Sequence, residues 1–159
     1  SSVVWAADYL MRQGLVKRVL IICPLSIMYS AWQADIFKTA MHRSVAVAYG
    51  DAEKRKKIIN GVYEFVIINY DIIKNFHEIK KNSESQVLRA NFDLVIIDEA
   101  HYIKNAQAKR TKLINDIVKN VDRLWLLTGT PMTSRPINYF NLLKIVEYKG
   151  CSSLSLDHS

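Results

Sequence analysis

Glycine and proline are scarce in this chain, at five and three of 159 residues. So few chain breakers exclude a collagen-like repeat and a Pro/Gly-rich disordered tract. Cysteine is nearly absent too. The two thiols, Cys23 inside an apolar run and Cys151 near a polar end, form neither a disulfide framework nor a zinc-site spacing. Free thiols and an intracellular setting are therefore expected, whether a bacterial or phage-infected cytoplasm or a nucleus. No apolar run reaches the length of a membrane span, so no membrane partner is expected. Ser1-Ser2-Val3-Val4-Trp5 has no basic stretch before it and does not read as a signal peptide.

Apolar residues make up 50% of the chain, enough for a real core in one domain. The formal net charge is +7. A basic surface favours phosphate-bearing partners, although solubility alone also accounts for such a charge.

Short apolar runs alternate with amphipathic stretches. Val3, Val4, Ala7, Leu10 and Met11 recur at helical spacing, and Gly14 supplies a stop. Val19 to Cys23, closed by Pro24, reads as a strand buried on both faces. Ser26 is placed to cap a helix whose apolar face includes Ile27, Trp32 and Ile36. Val45 to Ala48 form the next strand, closed by Gly50. Asp51 is placed to cap a basic helix from Glu53 to Asn60, ended by Gly61. Phe65 to Ile68 is a strand, followed by a helix from Asp71 towards Lys80 and a polar loop from Lys80 to Ser85. Leu94 to Ile97 is a strand, then a helix runs from about Ala106 to Lys119, and Leu124 to Leu127 is a strand. A last helix begins near Pro136. The expected organisation is one domain over residues 1–150 and a disordered, Ser-rich tail over 151–159. Trp5, Trp32 and Trp125 fall in apolar patterns and read as core residues. Lys54-Arg55-Lys56-Lys57 reads as a solvated helical face.

Strand–helix alternation gives a parallel sheet with helices on both faces, with ligands beyond the carboxyl ends of the strands. Asp98 and Glu99 lie at such an end. An isolated acidic pair is explained as well by capping of the following helix. The quartet Asp98-Glu99-Ala100-His101 after four apolar residues is different. By chance it would occur in a chain this long on the order of once in a thousand. A phosphate-bound magnesium ion needs hard oxygen ligands, often through water, which suits Asp98. Glu99 suits orientation or activation of an attacking water.

Val95 to His101 resembles the Walker-B segment, motif II or DEAH box, of superfamily-two helicases. Leu126-Leu127-Thr128-Gly129-Thr130-Pro131-Met132 resembles motif III of the Swi/Snf-type DNA-dependent ATPases. Cys23-Pro24-Leu25-Ser26 with Trp32 resembles their motif Ia, and Ile67-Ile68-Asn69-Tyr70 their motif Ib. The resemblance implies a three-layer α/β RecA-like P-loop NTPase lobe with a mostly parallel sheet. It implies ATP and Mg2+ as cofactors, with Glu99, Asp98 and His101 in catalysis. Nucleotide contact would come from Asp98, Thr128, Gly129 and Thr130, and DNA-backbone contact from Pro24, Ser26, Asn69 and Tyr70. The implied partners are DNA, as duplex, and a second RecA-like lobe of the same parent chain.

The phosphate-binding pattern G-x-x-x-x-G-K-[ST] is absent, and no Gly-Lys pair occurs. The resemblance then implies a chain cut just after that loop, with the first strand lost and negligible ATP hydrolysis on its own. A close variant is a strand-separating DEAH-type helicase or a restriction-enzyme motor subunit. A reading of a different class is a non-catalytic nucleic-acid-binding or scaffolding module derived from such a motor. The retained Asp98-Glu99 pair argues against it, because such a module has no use for both acids.

Overall fold

Five runs rich in β-branched residues and Leu build the centre of the molecule. The computed structural model describes residues 2–69, 92–98, 121–128 and 144–149. Its strands are β1 (Val19–Cys23), β2 (Val45–Val47), β3 (Phe65–Asn69), β4 (Leu94–Asp98), β5 (Arg123–Thr128) and β6 (Lys144–Lys149), in one sheet of order β2-β3-β1-β4-β5-β6. β2 to β5 pair in parallel through β3, β1 and β4, and β6 joins β5 antiparallel. Residues of both parities in β1, β3 and β4 are buried. Both faces are therefore covered, as continuous apolar runs require.

One face packs on helices. α1 (Ser2–Arg12) buries Val3, Val4, Ala7 and Met11. They meet Val19 and Ile21 of β1, Phe65 and Ile67 of β3, Leu94 and Ile96 of β4, and Trp125 and Leu127 of β5. The period-2 selection is that of side chains alternating across a sheet. α1 stops where Gly14 takes a φ of 74°. Leu15 N–H reaches Leu10 C=O at 3.0 Å and Gly14 N–H reaches Met11 C=O at 3.1 Å, the two bonds that close a helix through a left-handed residue.

The chain leaves β1 through a 3-10 turn, Leu25–Ile27, then a π-helical segment, Met28–Gln33, then α2 (Ala34–Thr39). Met28, Trp32 and Ile36 are its buried residues. This corrects the expectation of an ordinary helix capped by Ser26. Pro24 stands at the cap without a side-chain hydrogen bond, and Ser26 C=O instead accepts from Ser30 Oγ at 3.2 Å. The Asp51 expectation holds: its carboxylate accepts from Lys54 N–H at 2.8 Å at the start of α3 (Ala52–Ile59).

Two further expectations are corrected. Trp5 is 59% exposed and stacks on Tyr9, with ring centroids 5.8 Å apart; it occupies the outer face of α1, opposite Val3, Val4 and Ala7. Lys144–Lys149, assigned no strand from sequence, is β6. Ile, Val and Tyr suit a strand, and β5 offers it an edge of backbone groups to pair. The expected helices from Asp71, Ala106 and Pro136, the loop Lys80 to Ser85 and the tail 151–159 lie outside the described residues, which also keeps the domain bounds an expectation.

The amino-terminal pole of the sheet is tied by charge. Asp93 Oδ2 accepts from Lys17 N–H at 2.9 Å and Arg18 N–H at 3.1 Å, and the Arg18 guanidinium lies 4.5 Å over the Phe92 ring. Asp8 of α1, 4% exposed, meets Arg12 at 2.9 Å, His42 at 3.0 Å and Arg43 at 2.8 Å. Arg43 continues to Glu64 at 2.7 Å, just before β3. Burial pushes the Asp8 carboxyl up, but the Arg43 hydrogen bond and the charges of Arg12, Arg43 and His42 outweigh it and hold it below the usual carboxylate range. A depressed carboxyl contributes stability above its ordinary value, lost as pH falls through the lowered one. Asp8→Asn is expected to cost about 2 kcal/mol in urea unfolding at neutral pH. That deficit should shrink once the pH drops below about 4.

Candidate functional site

Three buried polar or sulfur-bearing residues end three adjacent strands on the same face. Cys23 closes β1, Asn69 closes β3 and Asp98 closes β4. Cys23 pairs in register with Asn69, and Asp98 comes one residue after the Ile22–Ile97 pair. All three share the parity of the core residues beneath them, Val19, Ile21, Phe65, Ile67, Leu94 and Ile96. They therefore lie under the helical layer, at the carboxyl ends of parallel strands, where ligands bind in open α/β sheets.

Asp98 is fully buried, and the Trp32 indole Nε1–H donates to its Oδ2 at 2.7 Å. An ionised carboxylate survives in such a place only with hydrogen bonds or counter-charge. The donor comes from a residue 66 positions away. It reaches Asp98 because the segment after β1 folds back across the strand ends and buries Met28 and Trp32 together. The sequence reading put Trp32 in the core, which is correct, and missed its polar role. The available signal was general: a buried indole N–H finds an acceptor.

Cys23 is buried next to this carboxylate. Burial pushes its thiol pKa far up, and the negative charge of Asp98 adds to the effect. It is a packed thiol and not a nucleophile.

The remaining expected residues divide. Pro24 is half-buried and Ser26 exposed, on the turn that leaves β1. Asn69, expected on the DNA face, is 3% exposed. Its place is beneath the helical layer, since its parity is that of Phe65 and Ile67. Thr128 ends β5 one residue beyond the Asp98–Leu127 pair, so its backbone stands beside the end of β4. Glu99, His101, Tyr70, Gly129 and Thr130 lie outside the described residues. The basic run Lys54 to Lys57 sits on α3, after the outer strand β2, with Lys54, Lys56 and Lys57 exposed.

Known proteins of one kind match the chain. A profile of the SNF2-related domain covers residues 3–156. The rabbit (Oryctolagus cuniculus) helicase-like transcription factor is 32% identical over 144 residues, 88% of this chain and 14% of that protein. A Bacillus subtilis protein named as the uncharacterized ATP-dependent helicase YqhH is 30% identical over 140 residues, 88% of this chain and 22% of that one. The solved SWI2/SNF2 ATPase core of Sulfolobus solfataricus in complex with dsDNA superposes with a TM-score of 0.60 at 26% identity, over 79% of this chain and 24% of that one. The chain thus spans less than a quarter of the length of each.

The burial of Cys23 is directly measurable. In a Cys151→Ser background, a thiol reagent at mildly alkaline pH is expected to label Cys23 roughly a hundredfold more slowly in the folded chain than in urea, because reaction then waits on opening. Equal rates would place the thiol at the surface.

Proposed function

This chain belongs to the SNF2-related domain family, as a segment of an ATPase/helicase motor with an α/β, mostly parallel RecA-like sheet, and we propose that it forms the Walker-B half of an ATP-hydrolysing motor that translocates on DNA. The observation that carries the reading is Asp98, buried at the carboxyl end of β4 with the Thr128 end of β5 beside it and Glu99-Ala100-His101 following in the chain.

The donor chemistry fits magnesium. Mg2+ keeps most of its waters and takes one or two carboxylates together with substrate phosphates, so one carboxylate held at a strand end is a sufficient share from this segment. Bound with ATP, the ion neutralises charge on the phosphates. Asp98 would hold the ion through its water shell. Glu99, next in the chain, would orient the attacking water and take its proton. His101 and Thr128-Gly129-Thr130 would serve the γ-phosphate region.

DNA is the proposed partner, gripped by its backbone. The basic charge of +7 supports this, as does the dsDNA complex of the similar Sulfolobus core. Pro24 and Ser26 present backbone and hydroxyl at the exposed turn after β1, and contacts of that kind position a protein on DNA without reading sequence. Asn69, buried at the end of β3, and Tyr70, next in the chain, complete the proposed contact. A second RecA-like lobe elsewhere in the full-length protein completes the nucleotide site. The setting is wherever the cell keeps its DNA; among the described residues no helix is long and apolar enough to cross a membrane.

In the full-length protein, Glu99→Gln is expected to lower DNA-stimulated ATP turnover by at least about a hundredfold while DNA affinity, read by fluorescence anisotropy, stays within a factor of two. Turnover that persists would remove Glu99 from the chemistry. A polypeptide of these 159 residues alone contains no G-x-x-x-x-G-K-[ST] sequence and is expected to show no turnover above background. Turnover abolished by Glu99→Gln in that polypeptide would disprove the second expectation.

A further inference from the structure

The Trp32–Asp98 hydrogen bond joins two fully buried side chains, at 2.7 Å, across 66 residues. Its donor sits in the π-helical stretch Met28–Gln33, where Ala34 N–H bonds back to Tyr29 C=O. Such wide turns are rare and concentrate at functional sites. The indole is locked by its surroundings. Met28 and Ile36 flank it along the segment, and all three belong to the cluster that includes Cys23 and Ile96 beneath. A planar donor with no rotatable proton, fully buried in that cluster, fixes the carboxylate it holds. A hydroxyl donor would rotate, and a lysine would bring a charge that competes with a cation.

We propose that Trp32 is a positioning residue for the magnesium carboxylate: its indole N–H holds Asp98 Oδ2 so that the carboxylate meets the ion's hydration shell in one orientation. This rests on Asp98 being the metal carboxylate. Partners of this kind, which orient a ligand without touching the metal, typically carry a tenfold to hundredfold share of metal affinity. The role is separable from packing, because the bond uses one N–H of a large side chain.

The test uses the full-length protein with saturating ADP and Mn2+ as the probe, bound metal being read from loss of the free-ion EPR signal. Three variants are compared: Trp32→Phe, Asp98→Asn, and Trp32 replaced by β-(3-benzothienyl)alanine. The last keeps the bicyclic shape and has sulfur where the N–H was. Both changes at position 32 are expected to weaken Mn2+ binding on the order of tenfold, with DNA affinity unchanged. Asp98→Asn should weaken it more, and adding Trp32→Phe to Asp98→Asn should cost nothing further, since the two act through one bond. If Trp32→Phe does not fold, the isosteric variant decides. Full Mn2+ affinity at position 32 beside a weak Asp98→Asn overturns the role of Trp32. Full affinity in Asp98→Asn as well overturns Asp98 as the metal carboxylate.

Discussion

A carboxylate buried at the end of an apolar strand is the constraint on which this structure turns. Asp98 lies beyond four buried apolar residues of β4, itself fully buried. Left without partners, such a group would be expensive to keep charged. The chain answers with the indole of Trp32, carried over the strand ends by the segment that leaves β1. The same segment exposes Ser26 three residues after Cys23. A short stretch of irregular helix therefore has one end on the surface proposed for DNA and the other on the carboxylate proposed for metal.

The two poles of the sheet are built differently. At the amino-terminal pole, Asp8 and Asp93 gather arginines and backbone N–H groups from α1, the segment before β1, and the loop before β2. Those acids are satisfied locally, and Asp8 is held charged by its partners. At the carboxyl pole, Cys23, Asn69 and Asp98 end adjacent strands side by side. The ion pairs of Asp8 and Arg43 lie at one pole and the candidate chemistry at the other.

Much of the fold was legible because parallel strands buried on both faces must be continuous apolar runs. Val19 to Cys23, Phe65 to Ile68, Leu94 to Ile97 and Leu124 to Leu127 are all such runs, and all are strands. Gly14 and Asp51 were legible for a local reason: a left-handed cap and an N-cap depend on one residue and its immediate neighbours. Expectations that depended on distant partners fared worse. Ser26 looks like a cap, but its segment winds as 3-10 and then π. Trp5 falls in an apolar helical pattern, yet the phase of α1 turns it outward. Lys144–Lys149 became a strand because an open edge of β5 was there to pair with it.

By itself the sequence determined the five parallel strands of the sheet and the family, since each is written in short contiguous patterns whose meaning follows from periodicity and residue chemistry. Only the tertiary structure decided that the end of β1 and the end of β4 lie side by side, that Asn69 is buried while Ser26 is exposed, and that Trp32 holds Asp98. Those facts depend on strand order and on the path of an irregular helix, which bring together residues separated by dozens of positions. No periodicity in the sequence encodes the direction of one indole N–H; packing against Met28, Ile36 and the ends of the strands does.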